Sequence, residues 1–159
     1  MKSKLAQLLG VAAAFLCLAS TPTQAANINT GGSACQSEVS NDPNVVIDLF
    51  GIVNQSSTAS AFITCTIPRS PLAAGATSAL FYVDGEIVQA GGTISCFLWS
   101  TNFTGDLLGS TSFQFTVNTD TKFDQLLILP AAQVSIWAYT QLFCSLPPAS
   151  HILGVTSVQ

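Results

Sequence analysis

The stretch TASAFITCTIPRS at 58–70 admits few folds. Ala59, Ala61, Ile63, Cys65 and Ile67 fall on one parity, and Ser60, Thr64 and Thr66 on the other. Side chains alternate faces along a strand, so one face enters a core and the other meets a wetter setting. Cys65 lies on the apolar face, placed to tie this strand to another part of the fold. Pro68 and Pro71 end the strand, because proline lacks a ladder N–H and restrains the residue before it.

The rest of the chain repeats this grammar. Residues 45–53 are rich in β-branched side chains and read as one strand, with Gly51 a bulge or a point of close approach. Residues 79–83 form another strand, and Asp84-Gly85 is a two-residue hairpin signal that returns the chain over 86–89. Further strands fall at 93–100, 110–117, 123–129, 133–146 and 152–158. Both faces of 133–146 are apolar or aromatic, which suits a central strand or one covered by a loop. Turn signals separate about eight short strands, and no helix stands out. The expected fold is all-β: an antiparallel β-sandwich, Ig-like or jelly-roll in outline.

Residues 1–25 have the form of a secretory signal peptide. Lys2 and Lys4 precede an apolar run over 5–19, and Thr23 and Ala25 stand at −3 and −1 of a cut before Ala26. Residues 26–159 are then one sandwich domain outside the cytoplasm: secreted, periplasmic or on the cell surface. Beyond the signal the strong bases are Arg69 and Lys122, against eight carboxylates. Gripping a phosphate backbone takes clustered Lys and Arg, so nucleic acid is excluded as a partner. No later apolar run approaches the ~20 residues of a membrane helix. The apolar fraction of 48% against 8% charged also excludes a disordered chain.

Cys17 leaves with the signal, and Cys35, Cys65, Cys96 and Cys144 remain. An even number in an exported chain reads as two disulfides, with three pairings open. Cys35–Cys65 with Cys96–Cys144 is favoured, because segments that are neighbours in sequence pack together. Their wide spacing contains no C-x-x-C pair, so neither zinc nor a redox centre is indicated, and no cofactor is expected.

Three further stretches, Gly51-Ile-Val-Asn54, Cys65-Thr-Ile-Pro-Arg69 and Cys144-Ser-Leu-Pro147, resemble motifs of a loose group of small exported bacterial proteins. That resemblance implies a β-sandwich and supports the four-cysteine frame. It brings no activity and no functional residue. Thr66 departs from the pattern, which more often has proline there.

Catalytic candidates are sparse. His151 is the only histidine, with no nucleophile motif such as G-x-S-x-G beside it. Asp84 with Glu86, and Asp120 with Asp124, read as solvated turn acids rather than a glycosidase pair. A calcium site would need Asp106, Asp120 and Asp124 to meet. Arg69 is placed to pair with Glu38 or Asp42. Asn54-Gln-Ser56 and Asn102-Phe-Thr104 are glycosylation acceptor sequences. The aromatic residues carry the best site hypothesis. Tyr82, Phe97, Trp99, Trp137 and Tyr139 either fill a second core layer or form an exposed row that stacks on sugars or anchors a partner. Trp99, Trp137 and Tyr139 are the candidate ligand-binding residues. The expectation is a non-enzymatic protein that acts by binding a protein or glycan, or as a surface component. The alternatives are a carbohydrate-binding module and a fimbrial-type subunit, which would need an incomplete sandwich.

Overall fold

The computed structural model of the chain describes residues 27–68, 72–73, 75–118, 121–134 and 138–158. The signal-peptide reading, Arg69, Asp120 and Trp137 lie outside the described residues. Among the described residues there are eleven strands, two 3-10 turns and no α-helix. None of their helices is long and apolar enough to cross a membrane.

Two antiparallel sheets face each other, as the sequence leads one to expect. The first contains β3 (Val45–Ile47), β4 (Ile52–Asn54), β11 (Ser150–Val158), β6 (Ser78–Ile87) and β9 (Lys122–Pro130) in that order, with β1 (Asn27–Gly31) also on β11. The second runs β2 (Cys35–Ser37), β5 (Ala61–Ile67), β10 (Tyr139–Leu146), β7 (Thr93–Thr101) and β8 (Leu107–Thr116). The inner faces interdigitate into one core. Phe81, Val83, Leu127 and Leu129 from the first sheet meet Ile63, Ile94, Leu98, Leu142 and Leu146 from the second. At one side Phe123 of β9 packs against Phe113 and Phe115 of β8, with ring centroids 6.1 and 5.2 Å apart, and so joins the two sheets.

Cys65 enters the core on the apolar face of β5, together with Ala61, Ile63 and Ile67. Both disulfides are the favoured ones, Cys35–Cys65 and Cys96–Cys144. Cys35 stands opposite Cys65 across β2 and β5, and Cys96 opposite Cys144 across β7 and β10. Both staples therefore lie within the second sheet. β10 is its central strand, as the apolar and aromatic residues on both of its faces suit, although it begins at Tyr139 rather than Gln133.

Three local readings need correction. Residues 45–53 are two strands rather than one, because Asp48 closes a turn between β3 and β4. Its carboxylate accepts the backbone N–H of Phe50 and Gly51 at 2.8 and 2.9 Å, and its own N–H donates to the Gly51 carbonyl. Gly51 is a point of close approach: a Cβ there would collide with the Ile152 carbonyl oxygen. Asp84-Gly85 does not turn. β6 runs straight through it, and Gly85 is needed because a Cβ would strike the Phe123 ring. Its glycine answers to packing rather than to a turn. The strand total rises from about eight to eleven partly because the arm at 27–37 supplies β1 to one sheet and β2 to the other.

Asn54 is fully buried. Its side-chain amide donates to the carbonyls of Ala59, Leu146 and Pro147 at 2.9, 3.0 and 3.1 Å, and its oxygen accepts the Ser56 N–H. The Asn54-Gln-Ser56 acceptor sequence is thus committed to the fold. Asn54→Ala would leave the buried Leu146 carbonyl without this donor, at a cost of about 1–3 kcal/mol, while Pro147 keeps the Ser150 hydroxyl. Urea denaturation should show a loss of about 2–4 kcal/mol. A loss within experimental error would dismiss this hub.

Candidate functional site

The outward residues of the second sheet make its most unusual surface. β5 presents Phe62, Thr64 and Thr66, and β10 presents Tyr139, Gln141, Phe143 and Ser145. β7 presents Ser95, Phe97 and Trp99. In the ladders Phe143 stands opposite Phe97 on one side and Thr64 on the other, while Gln141 stands between Trp99 and Thr66. Five aromatic side chains therefore share one face.

Three of them form a continuous diagonal row. The Phe62 and Phe143 rings lie 5.8 Å apart and the Phe143 and Trp99 rings 6.2 Å, each pair within 15° of parallel. Trp99 donates its indole N–H to the Gln141 side-chain oxygen at 3.0 Å, which fixes the last ring. Phe62, Phe97 and Tyr139 remain 46%, 51% and 63% exposed. An aromatic cluster this open is a candidate interaction surface. Its borders are hydroxyl and amide side chains, among them Ser110, Ser112 and Gln114 of β8. Charge at its edges is acidic among the described residues. Thr64 donates its hydroxyl to Glu38 just past β2, and Asp106 sits in the loop between β7 and β8.

That loop is tightly bound to itself. The Asn102 side-chain oxygen accepts the N–H groups of Thr104 and Asp106 at 2.9 and 2.8 Å. The Thr104 hydroxyl and Asn102 amide donate to the Asp106 carboxylate at 2.7 and 2.9 Å. The bonds from Thr104 and then Asn102 hold the Asp106 carboxyl below the usual range. Phe103 projects from this loop, 75% exposed. Between the loop, the end of β5 and the start of β10 lies a hollow of about 620 Å³, lined in part by Tyr139 and Gln141.

Of the sequence candidates, Phe97, Trp99 and Tyr139 come together here, and Tyr82 does not. Tyr82 faces outward on β6 of the other sheet, opposite Leu126. Phe143 shares its face with Tyr139, as the alternation indicated, but was not singled out. Phe62 was missed. Its signal was present: it is the one aromatic among Ser60, Thr64 and Thr66 on the wet parity of β5.

The acids are placed differently from expectation. Asp84 and Glu86 lie within β6 rather than at a turn, and Asp84 stands directly opposite Asp124 of β9. Burial first, and Asp124 second, push the Asp84 carboxyl above its ordinary 3.8. His151 is half-buried on β11, opposite Glu86. Asp106 lies in the loop between β7 and β8 of the second sheet and Asp124 on β9 of the first, and no group of three or more His, Cys, Asp or Glu among the described residues is placed to hold a metal. A raised carboxyl disfavours the charged native state, so stability is lost as pH rises from 3.8 through the raised value. Asp84→Asn should therefore raise the denaturation midpoint at pH 7, and the gain should vanish below pH 3.8. A gain that persists in acid would trace to something other than this charge.

No protein-family model and no curated protein matches the sequence. In fold, the chain is similar to the C-terminal CBM6 of LamC, a marine laminarinase from Zobellia galactanivorans. The identity is 13%, over 84% of this chain and 100% of that one, with a TM-score of 0.51. It is equally similar to a xylan-binding module of CBM15, at 10% identity over 84% of this chain and 96% of that one, with a TM-score of 0.51. Both are carbohydrate-binding modules. At such identities the likeness is one of fold.

Proposed function

We propose that this protein is a non-catalytic carbohydrate-binding module that works outside the cytoplasm and holds a neutral polysaccharide on the outer face of its second sheet. The observation that carries this reading is the aromatic row Phe62, Phe143 and Trp99, with Phe97 beside it, in which Phe62 and Phe97 are exposed and Phe143 and Trp99 half-buried, on a face otherwise made of hydroxyls and amides. A pyranose ring has apolar C–H faces and a polar rim. Aromatic rings take the faces, and Thr, Ser and Gln side chains bond the rim.

Mutual packing and the Trp99–Gln141 bond hold the rings in place before any ligand arrives. Little side-chain freedom is then left to lose on binding. The acids described at its borders, Glu38 and Asp106, disfavour uronate and sulfate groups. Two disulfides suit an oxidising compartment. The two similar folds belong to a laminarinase's CBM6 and a xylan-binding module, which makes β-glucans and xylan the first ligands to try.

A glycan array followed by calorimetry tests the proposal. Wild-type protein should bind at least one neutral polysaccharide. Trp99→Ala and Phe143→Ala should each weaken binding about tenfold or more, as loss of an aromatic anchor does, while thermal melting shows the fold intact. Absence of binding across the array would sink the glycan reading. The same row would then be explained as an anchor for a protein partner, whose contact surfaces favour Trp and other aromatic residues.

A further inference from the structure

We infer that the free edge of β8 takes a second copy of this chain: two molecules join their second sheets by pairing residues 110–116 of one antiparallel to the same residues of the other. The inference stands apart from the glycan reading, since this strand pairs whatever the aromatic row holds.

β8 ends its sheet, with β7 on one side and no strand on the other. An outer strand offers a row of unpaired N–H and C=O groups to any chain that fits, and proteins protect such rows by shortness, charge or proline. The other outer strands have these protections. β1, β2 and β3 are five, three and three residues long. β9 carries Lys122 and Asp124 and ends on Pro130. β8 has ten residues, LLGSTSFQFT, with no charge and no proline. Gln133, in the 3-10 turn that follows β9, packs over Gly109, so the open length begins at Ser110. No turn or loop backbone bond among the described residues engages 110–116.

The register shows which groups face the free edge. Antiparallel partners alternate between pairs that exchange hydrogen bonds and closer pairs that do not. The Cα atoms of Cys96 and Cys144 are 4.1 Å apart, which is the closer kind. Cys96 therefore turns its backbone groups away from β10 and toward β8, where it meets Phe113. Phe113 points its own groups at β7, and Ser110, Ser112, Gln114 and Thr116 point theirs outward. A two-fold axis at Phe113 sets Ser112 against the copy's Gln114 and Ser110 against its Thr116. About eight hydrogen bonds then cross the seam.

The side chains match as well. Those of Ser110, Ser112, Gln114 and Thr116 are uncharged, in a chain whose eight acids make its copies repel elsewhere. On the inner face Phe113 and Phe115 reach Phe123 yet stay half-buried, whereas their β7 partners Cys96 and Ile94 are wholly buried. The core is unfinished along this edge. In the pair Phe113 meets its own copy and Phe115 meets Thr111, both favourable combinations across strands. The axis stands perpendicular to the sheet, so the aromatic row appears twice on one surface. A long ligand held at both places gains avidity.

Sedimentation equilibrium and light scattering of the purified protein, from about 1 µM to about 0.5 mM, provide the test. The wild-type mass should rise to that of two chains. Ser112→Lys combined with Gln114→Lys sets ammonium groups against each other across the axis and should weaken the dimer about tenfold or more. Ser112→Glu combined with Gln114→Lys changes the same two exposed positions but brings opposite charges together, and should keep the dimer. Thermal melting should show both variants folded. A wild type that stays monomeric over this range overturns the inference. So does a dimer indifferent to the paired lysines, or one lost equally in the glutamate–lysine variant.

Discussion

A strand has two faces, and β10 has a demanding task for each. Leu142, Cys144 and Leu146 point inward and close the core, while Tyr139, Gln141 and Phe143 point outward and build the candidate site. A slip of one residue in its pairing with β5 or β7 would carry every one of these side chains to the wrong face. The Cys96–Cys144 bridge joins residues that stand opposite each other in this ladder, and so forbids the slip. Core and surface are thus held in register by the same bond. The spacing of Phe143 and Trp99 across β10 and β7 depends on it.

Much of the architecture was legible because it is periodic. The parity of β5 placed Ala61, Ile63, Cys65 and Ile67 in the core, and the four cysteines pair as their order suggests. Signals that span only two or three residues read less well. Asp84-Gly85 has the chemistry of a hairpin, yet the missing Cβ of Gly85 serves the Phe123 ring from another strand. Asp48 carries a turn in its own carboxylate, hidden inside a run of β-branched residues. Local propensity was overruled by tertiary packing at the first site and masked by composition at the second.

The site was half legible for a related reason. Alternation says which residues share a face of one strand, so Phe97 with Trp99, and Tyr139 with Phe143, were available. It does not say which strands become neighbours. Tyr82 falls on the other sheet for that reason, and Phe62 joins the row only because β5 lies beside β10. The hollow was out of reach altogether, since it is made where a loop and two strand ends meet. In the same way Asn54 and the Leu146-Pro147 pair, ninety-odd residues apart, become one hydrogen-bonded unit only in the folded chain.

Both covalent staples lie in one sheet, and that leaves the molecule lopsided. The sheet bearing β3, β4, β6, β9 and β11 is kept by packing and hydrogen bonds alone, so partial openings should begin there, at its short outer strands. The opposite side, with its aromatic row, stays cross-linked through such excursions. The molecule would then breathe through its plain back while the face that bears the aromatic row keeps its shape.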